Sequence, residues 1–190
     1  MSGAPGPAPT PPKVAYLGYC GLIDSAGVTK IAGAMNSVIN DATYASLYLC
    51  VTSNGGYVGD GVYLYNHIRS LPKPVTMHNT GTIASIATTL FAAGERRICS
   101  PNSVFMMHPI HVPGAGAMAT TPLEAALKAA MADEERTERI LRARTSIPDD
   151  ILDARRRSDV YLTADDALKY GLVHELAEFT LPAGCQVFQL

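Results

Sequence analysis

Ser46-Leu-Tyr-Leu-Cys-Val51 runs directly into Thr52-Ser-Asn-Gly55-Gly56-Tyr-Val58, a junction of an apolar run with a glycine turn. A short apolar run closed by a Gly-Gly turn reads as a buried strand, and Gly59 to Ile68 then follows with helical spacing. The next segment repeats the pattern. Pro74-Val-Thr-Met-His-Asn79 reads as a strand, and Gly81-Thr-Ile-Ala-Ser85-Ile-Ala forms another strand-to-helix turn. Upstream, Val14 to Gly18 reads as a strand and Ser25 to Ile39 as a helix with Ser25 as its N-cap. Downstream, Ile98-Cys99 and Val104-Phe-Met-Met107 are short and strand-like. Strands alternating with helices of this length predict an α/β fold with a mostly parallel sheet. In such folds reactive groups lie at turns beyond the strand ends, where both the Gly-Gly turn and Ser85 fall.

The rest of the chain has a different texture. Met1 to Pro12 is rich in Pro, Gly and Ala, lacks the basic start and apolar middle of a signal peptide, and reads as a flexible tail. Pro109 to Pro122 reads as an extended connection. A long helix is expected over Pro122 to Arg144, capped by Thr121, with Pro122 in its first turn. Its Leu/Ala/Met-rich first half reads as a subunit or core contact. Its charged half, from Asp133 onward, reads as a solvated face. Thr163-Ala-Asp-Asp166 signals one more helix, ending at Tyr170-Gly171.

Composition excludes several classes. A net charge of -2 gives no electrostatic footprint for nucleic acid. No run approaches the roughly 18 apolar residues of a membrane span. The four cysteines (Cys20, Cys50, Cys99, Cys185) form no C-x-x-C pair and suit a reducing cytoplasm, and the histidines show no metal-ligand spacing. The glycines around Gly55 lack both the lysine of a phosphate loop and dinucleotide spacing. No metal or organic cofactor is implied.

The chemistry-bearing residues are a serine, a histidine and an acid. Ser85 sits among small apolar residues, and His108 closes the run Val104-Phe-Met-Met-His108-Pro. A serine hydroxyl needs a neighbouring base, histidine titrates in the working range of a cell, and an acid would orient the imidazole. Asp159, in Arg157-Ser-Asp159-Val-Tyr, is the best candidate, ahead of Asp153, Asp165 and Asp166.

Four motifs then occur in order: Ser53-Asn-Gly55-Gly56, Gly81-x-x-Ala-Ser85, Met106-Met-His108-Pro, and Asp159-Val-Tyr-Leu-Thr-Ala-Asp-Asp-Ala-Leu-Lys-Tyr-Gly-Leu172. Together they resemble the ClpP family of serine peptidases, within the wider ClpP/crotonase fold, over roughly Leu47 to Leu176. The resemblance implies repeated β-β-α units over residues 13–190, with a protruding handle over about 109–147. It implies Ser85 as nucleophile, His108 as base and Asp159 as acid, with the backbone N–H groups of Gly56 and Ile86 as oxyanion hole. It further implies a serine endopeptidase acting on short or unfolded polypeptides within a homo-oligomeric ring, a heptamer or double ring.

The departures from the family matter. The family's Pro is Asn54, the Gln after the catalytic His is missing, and Ser158 stands where an arginine helps link two rings. The first dozen residues show no counterpart of the family's axial segment, which argues against an AAA+ unfoldase as partner. Two alternatives remain. One is a regulatory or structural ring subunit without activity. The other is a crotonase-like acyl-CoA enzyme, against which the ordered Ser/His/Asp set argues.

Overall fold

The computed structural model describes residues 13–112 and 119–190. The expected tail before Lys13 and part of the 109–122 connection lie outside the described residues. The elements run β1 (Lys13–Cys20), α1 (Ser25–Asn40), β2 (Tyr44–Ser53), α2 (Val58–Ser70), β3 (Val75–Ala84), α3 (Ile86–Phe91), β4 (Arg96–Cys99) and β5 (Val104–Met107). They continue with α4 (Thr120–Arg144), α5 (Asp149–Ala154), β6 (Val160–Thr163), α6 (Ala164–Lys169), β7 (Glu175–Leu176) and β8 (Val187–Gln189). The fold is α/β, with strands in the order β6-β5-β3-β2-β1-β8 and with β4 pairing β3 and β7. Every pairing is parallel except β5 with β6. Leu47, Leu49, Met77, Ile83, Phe91 and Phe105 are among the side chains that fill the core.

The structure lengthens β3 beyond the expected end at Asn79, and this extension positions the site. The first part of β3 lies beside β4 through Thr76 to Asn79, and the last part beside β5 through Thr82 to Ala84. The β2–β3 register shifts between Val51 and Ser53. There the Thr52 hydroxyl substitutes for the ladder, donating to Thr82 O at 3.0 Å and accepting from Thr82 N at 3.1 Å. Buried Asn79 braces the fork, accepting from Gly81 N at 3.0 Å and donating to Val104 O at 3.1 Å. Side chains thus take over backbone bonds of Gly81, Thr82 and Val104 at the irregularity, as burial demands. The strand can change neighbours and still deliver Ser85 at its end.

Two expected caps move. Asp24, not Ser25, caps α1, its carboxylate accepting from Gly27 N at 2.8 Å. Helix α4 begins at Thr120 with Ala119 as N-cap and no side-chain cap bond, so Thr121 lies inside it. The Thr163 capping box is present as expected, and it occupies Asp166: Thr163 N donates to Asp166 Oδ2 at 3.1 Å. Gly171 follows α6 with a φ of 63°, the left-handed conformation that glycine accepts at a helix end.

The expected solvated face of the charged half of α4 holds for Glu135 and Arg139, which are exposed, but the opposite face of that half is buried. Thr137, Glu138 and Leu141 are buried, whereas Leu123, Leu127 and Met131 in the apolar half are exposed. The charged half meets the body of the fold at α2 and α3. Buried Arg97 anchors its end, donating to Arg144 O at 2.9 Å, Gly171 O at 3.0 Å and Leu172 O at 2.8 Å. Among the described residues, no helix is long and apolar enough to cross a membrane.

Candidate active site

Ser85 occupies the turn from β3 into α3 and is the one non-glycine with positive φ among the described residues (φ 58°, ψ −132°). Such a conformation costs about 1–3 kcal/mol and persists only where its surroundings enforce it. Here Ser85 N donates to Met106 O at 2.7 Å, and Thr88 N donates to Ser85 O at 3.0 Å. Helix α3 is buried over all six of its residues, so the turn has no room to relax. The hydroxyl is left uncommitted as a cap.

The Gly-Gly turn after β2 lies against this serine. Gly55 has a φ of 96°, and a Cβ there would stand 2.5 Å from Ser85 Cβ and 3.1 Å from Ser85 Oγ. A Cβ on Gly56 would meet Ile23 O at 2.1 Å. Side chains are therefore excluded at both positions by close approach. Ile23 bridges the turn, accepting from Tyr57 N and donating to Gly55 O, both at 2.8 Å. Those bonds bypass Gly56 N. Neither it nor Ile86 N, at the first position of α3, donates to another group among the described residues.

His108 follows β5 directly. Ser85, Ile86 and His108 line one cavity of about 30 Å³, together with Val58, Thr137 and Arg155. His108 Nδ1 lies 2.6 Å from Pro109 O. A carbonyl oxygen only accepts, so Nδ1 is the donor of this bond, and in the neutral ring Nε2 is then the acceptor. That is the tautomer a general base requires. The His111 ring lies nearby, tilted by 33° with centroids 4.9 Å apart.

Asp159 does not line the cavity. It is exposed, immediately before β6, and forms no hydrogen bond to His108. No hydrogen bond joins Ser85 Oγ to His108 either, so the three side chains are not linked in this conformation. The last β5–β6 pair is Met107 with Val160, and one further step along that antiparallel register sets Asp159 opposite His108.

Sequence reasoning missed Gly55 as the residue pressed on Ser85, although the Gly-Gly pair was signal enough. It also missed Arg155, which sits in an Arg-Arg-Arg run that resembles a solvated surface but is buried. Among the described residues, no group of three or more His, Cys, Asp or Glu could hold a metal ion.

The sequence model of the Clp protease family matches residues 19–179. The chain is similar to the ATP-dependent Clp protease proteolytic subunit 3 of Rhizobium johnstonii, 31% identical over 138 residues, which cover 71% of this chain and 70% of the relative. It is also similar to the ATP-dependent Clp protease proteolytic subunit 2 of Pseudomonas aeruginosa, 30% identical over 143 residues, covering 72% and 70% respectively.

Proposed function

The chain belongs to the Clp protease family, and from that premise we propose that it is a serine endopeptidase in which Ser85 is the nucleophile and His108 the base. One observation carries this reading: a strained serine and a histidine whose Nδ1 is held by a carbonyl oxygen line the same cavity at the ends of neighbouring strands. His108 Nε2 accepts the Ser85 hydroxyl proton as Oγ attacks the peptide carbonyl. The uncommitted N–H groups of Gly56 and Ile86 receive the oxyanion, each such donor being worth about 3 kcal/mol in comparable sites. The tetrahedral intermediate collapses, and His108 returns the proton to the leaving amine. Water then attacks the acyl-enzyme, losing its proton to His108, which passes it to Ser85 Oγ as the C–Oγ bond breaks and the acid leaves.

Asp159 is the acid of this scheme. Its role requires His108 Nδ1 to exchange the Pro109 carbonyl for the Asp159 carboxylate, a replacement that stabilises the imidazolium. The strand register supports it, because the ladder ends at Met107 and Val160, and continuing it by one step brings His108 opposite Asp159. The substrates are short or unfolded polypeptides, and the working form is a homo-oligomeric ring, with the exposed apolar stripe of α4 as a contact. Peptide hydrolysis requires no unfoldase in this scheme. Degradation of folded protein would need an ATP-driven one, consistent with the relatives being named ATP-dependent.

A fluorophosphonate probe read by intact mass tests the nucleophile. Wild type takes up one adduct per chain, and Ser85→Ala takes up none while its peptide turnover falls by about 10⁴ or more. A mutant retaining a tenth of the activity would remove Ser85 from the scheme. An unlabelled wild type would favour a regulatory ring subunit, a reading to which the Pro109-bound His108 lends weight.

A further inference from the structure

We propose that Arg155 makes this site selective for an acidic side chain, aspartate or glutamate, on the residue that supplies the scissile carbonyl. The proposal rests on the hydrolase reading above and names its substrate class. Arg155 follows α5 and reaches the cavity that Ser85 and His108 line. It is only 6% exposed, yet its partners are poor. Nη2 lies 3.4 Å from both Glu134 O and Thr137 Oγ1, at the outer limit of hydrogen bonding. The Glu138 carboxylate stands 3.7 Å away. The buried Nε has no partner among the described residues.

The nearby carboxylate is already committed. Glu138 Oε1 accepts from Arg142 Nε at 2.9 Å, and Oε2 accepts from Arg156 Nε at 3.1 Å and from Arg156 Nη2 at 2.6 Å. One carboxylate thus serves three guanidinium groups, and the most buried of the three is served worst. Burial pushes the Arg155 pKa down, with Glu138 and Glu134 opposing. Arginine does not escape by losing its proton, so a buried guanidinium with an idle N–H is stabilised by an incoming acceptor. A carboxylate offers the planar, two-oxygen partner that matches its fork.

The walls fit the same occupant. Val58, Ile86 and Met107 supply apolar surface for a short methylene stem, and Thr137 adds a hydroxyl beside Arg155. The volume of about 30 Å³ is roughly one water's share, so any side chain must displace part of the wall. Aspartate or glutamate recovers that cost at Arg155. Leucine or phenylalanine does not, and seals the guanidinium beneath an apolar group. Sites built to meet a polar group discriminate against analogues that lack it.

Fluorogenic peptides identical except for Asp, Glu, Asn or Leu before the scissile bond provide the test, using the full chain at neutral pH beside Ser85 labelling. We expect kcat/KM for the acidic peptides to exceed that for the leucine peptide by about tenfold or more. Arg155→Met should reverse the order. Ser85 labelling with an equal or greater preference for leucine would overturn this proposal alone. Neither labelling nor turnover of any peptide would overturn the hydrolase reading and this one together. The wild-type order decides the matter even if Arg155→Met does not fold.

Discussion

The two halves of α4 depart from what their compositions suggest: one face of the charged half is buried, and the apolar stripe of the other half is exposed. In the first half Leu123, Leu127 and Met131 recur every fourth residue and are 56%, 58% and 61% exposed. In the second half the acidic and basic residues dominate, yet Thr137 and Glu138 are buried. Burial here follows position rather than polarity: the charged half meets α2, α3 and the serine cavity, whereas the apolar half extends past them. A charged segment can be buried only if its charges are matched, and Glu138 meets that condition through Arg142, Arg155 and Arg156. An apolar stripe can stay exposed only at the risk of association, and such stripes mark contact surfaces.

Removing the shared carboxylate should have the largest effect on the charged half. Glu138→Ala leaves Arg155 buried without its nearest counter-charge, while Arg142 and Arg156, both partly exposed, can turn to water. We expect a loss of about 3 kcal/mol in urea-induced unfolding, the scale for breaking a buried pair by removing one partner. A loss within the range of surface ion pairs, about 1 kcal/mol or less, would mean that the charged half is held by its apolar contacts alone.

The same carboxylate predicts a pH dependence. Burial pushes the Glu138 pKa up, but hydrogen bonds from Arg156 and Arg142, with their positive charges, outweigh it and hold it below its ordinary 4.5. A depressed carboxylate pKa contributes stability that is complete above the unfolded value and is lost as pH falls through the folded value. The loss should therefore open below pH 4.5 and vanish in Glu138→Gln. His78 acts in a separate window. Burial lowers its pKa from 6.5, against a weaker upward pull from the Ala177 backbone and Glu175. Its neutral form is favoured in the fold, so stability declines as pH drops below 6.5 towards that lowered value. Chemical unfolding of wild type and Glu138→Gln across pH 3 to 8 separates the two. A wild-type decline below 4.5 that persists unchanged in the variant would exclude Glu138 as its source.

How much of this was legible in the sequence depended on whether the cause was local. The Thr163 capping box, the β2 strand and the helix after Gly56 rest on neighbours within a few residues, and each stands where expected. The placement of Ser85 and His108 just beyond strand ends was legible for the same reason, since each follows an apolar run. The extension of β3 to Ala84 was not, because it depends on Thr52, thirty positions away, replacing a broken ladder. Strands β7 and β8 are too short to show a period and exist because β4 and β1 offer edges. Arg155 was not legible, because nothing in its run of three arginines marks one of them as buried. Only the packing of α5 beside α4 buries it. The bond from His108 to the Pro109 carbonyl is a rotamer choice, which no spacing of residues encodes.

The smallest effect on the folded chain, and the sharpest contrast with Glu138, should come from the apolar half of α4. Leu127→Ser combined with Met131→Ser removes two side chains already more than half exposed, so little buried area is lost. Surface changes of this kind usually shift stability by about 0.5 kcal/mol or less. Helix propensity falls slightly, because serine ranks below leucine and methionine, which accounts for most of that figure. Association should respond in the opposite proportion. If the stripe is a contact between copies, sedimentation velocity at micromolar concentration will show wild type in a larger species and the double variant in a smaller one. Equal sedimentation of the two would remove the stripe as a contact. A large loss of stability without a change in assembly would instead show that the stripe packs against this same chain, and the contrast between the two halves of α4 would no longer hold.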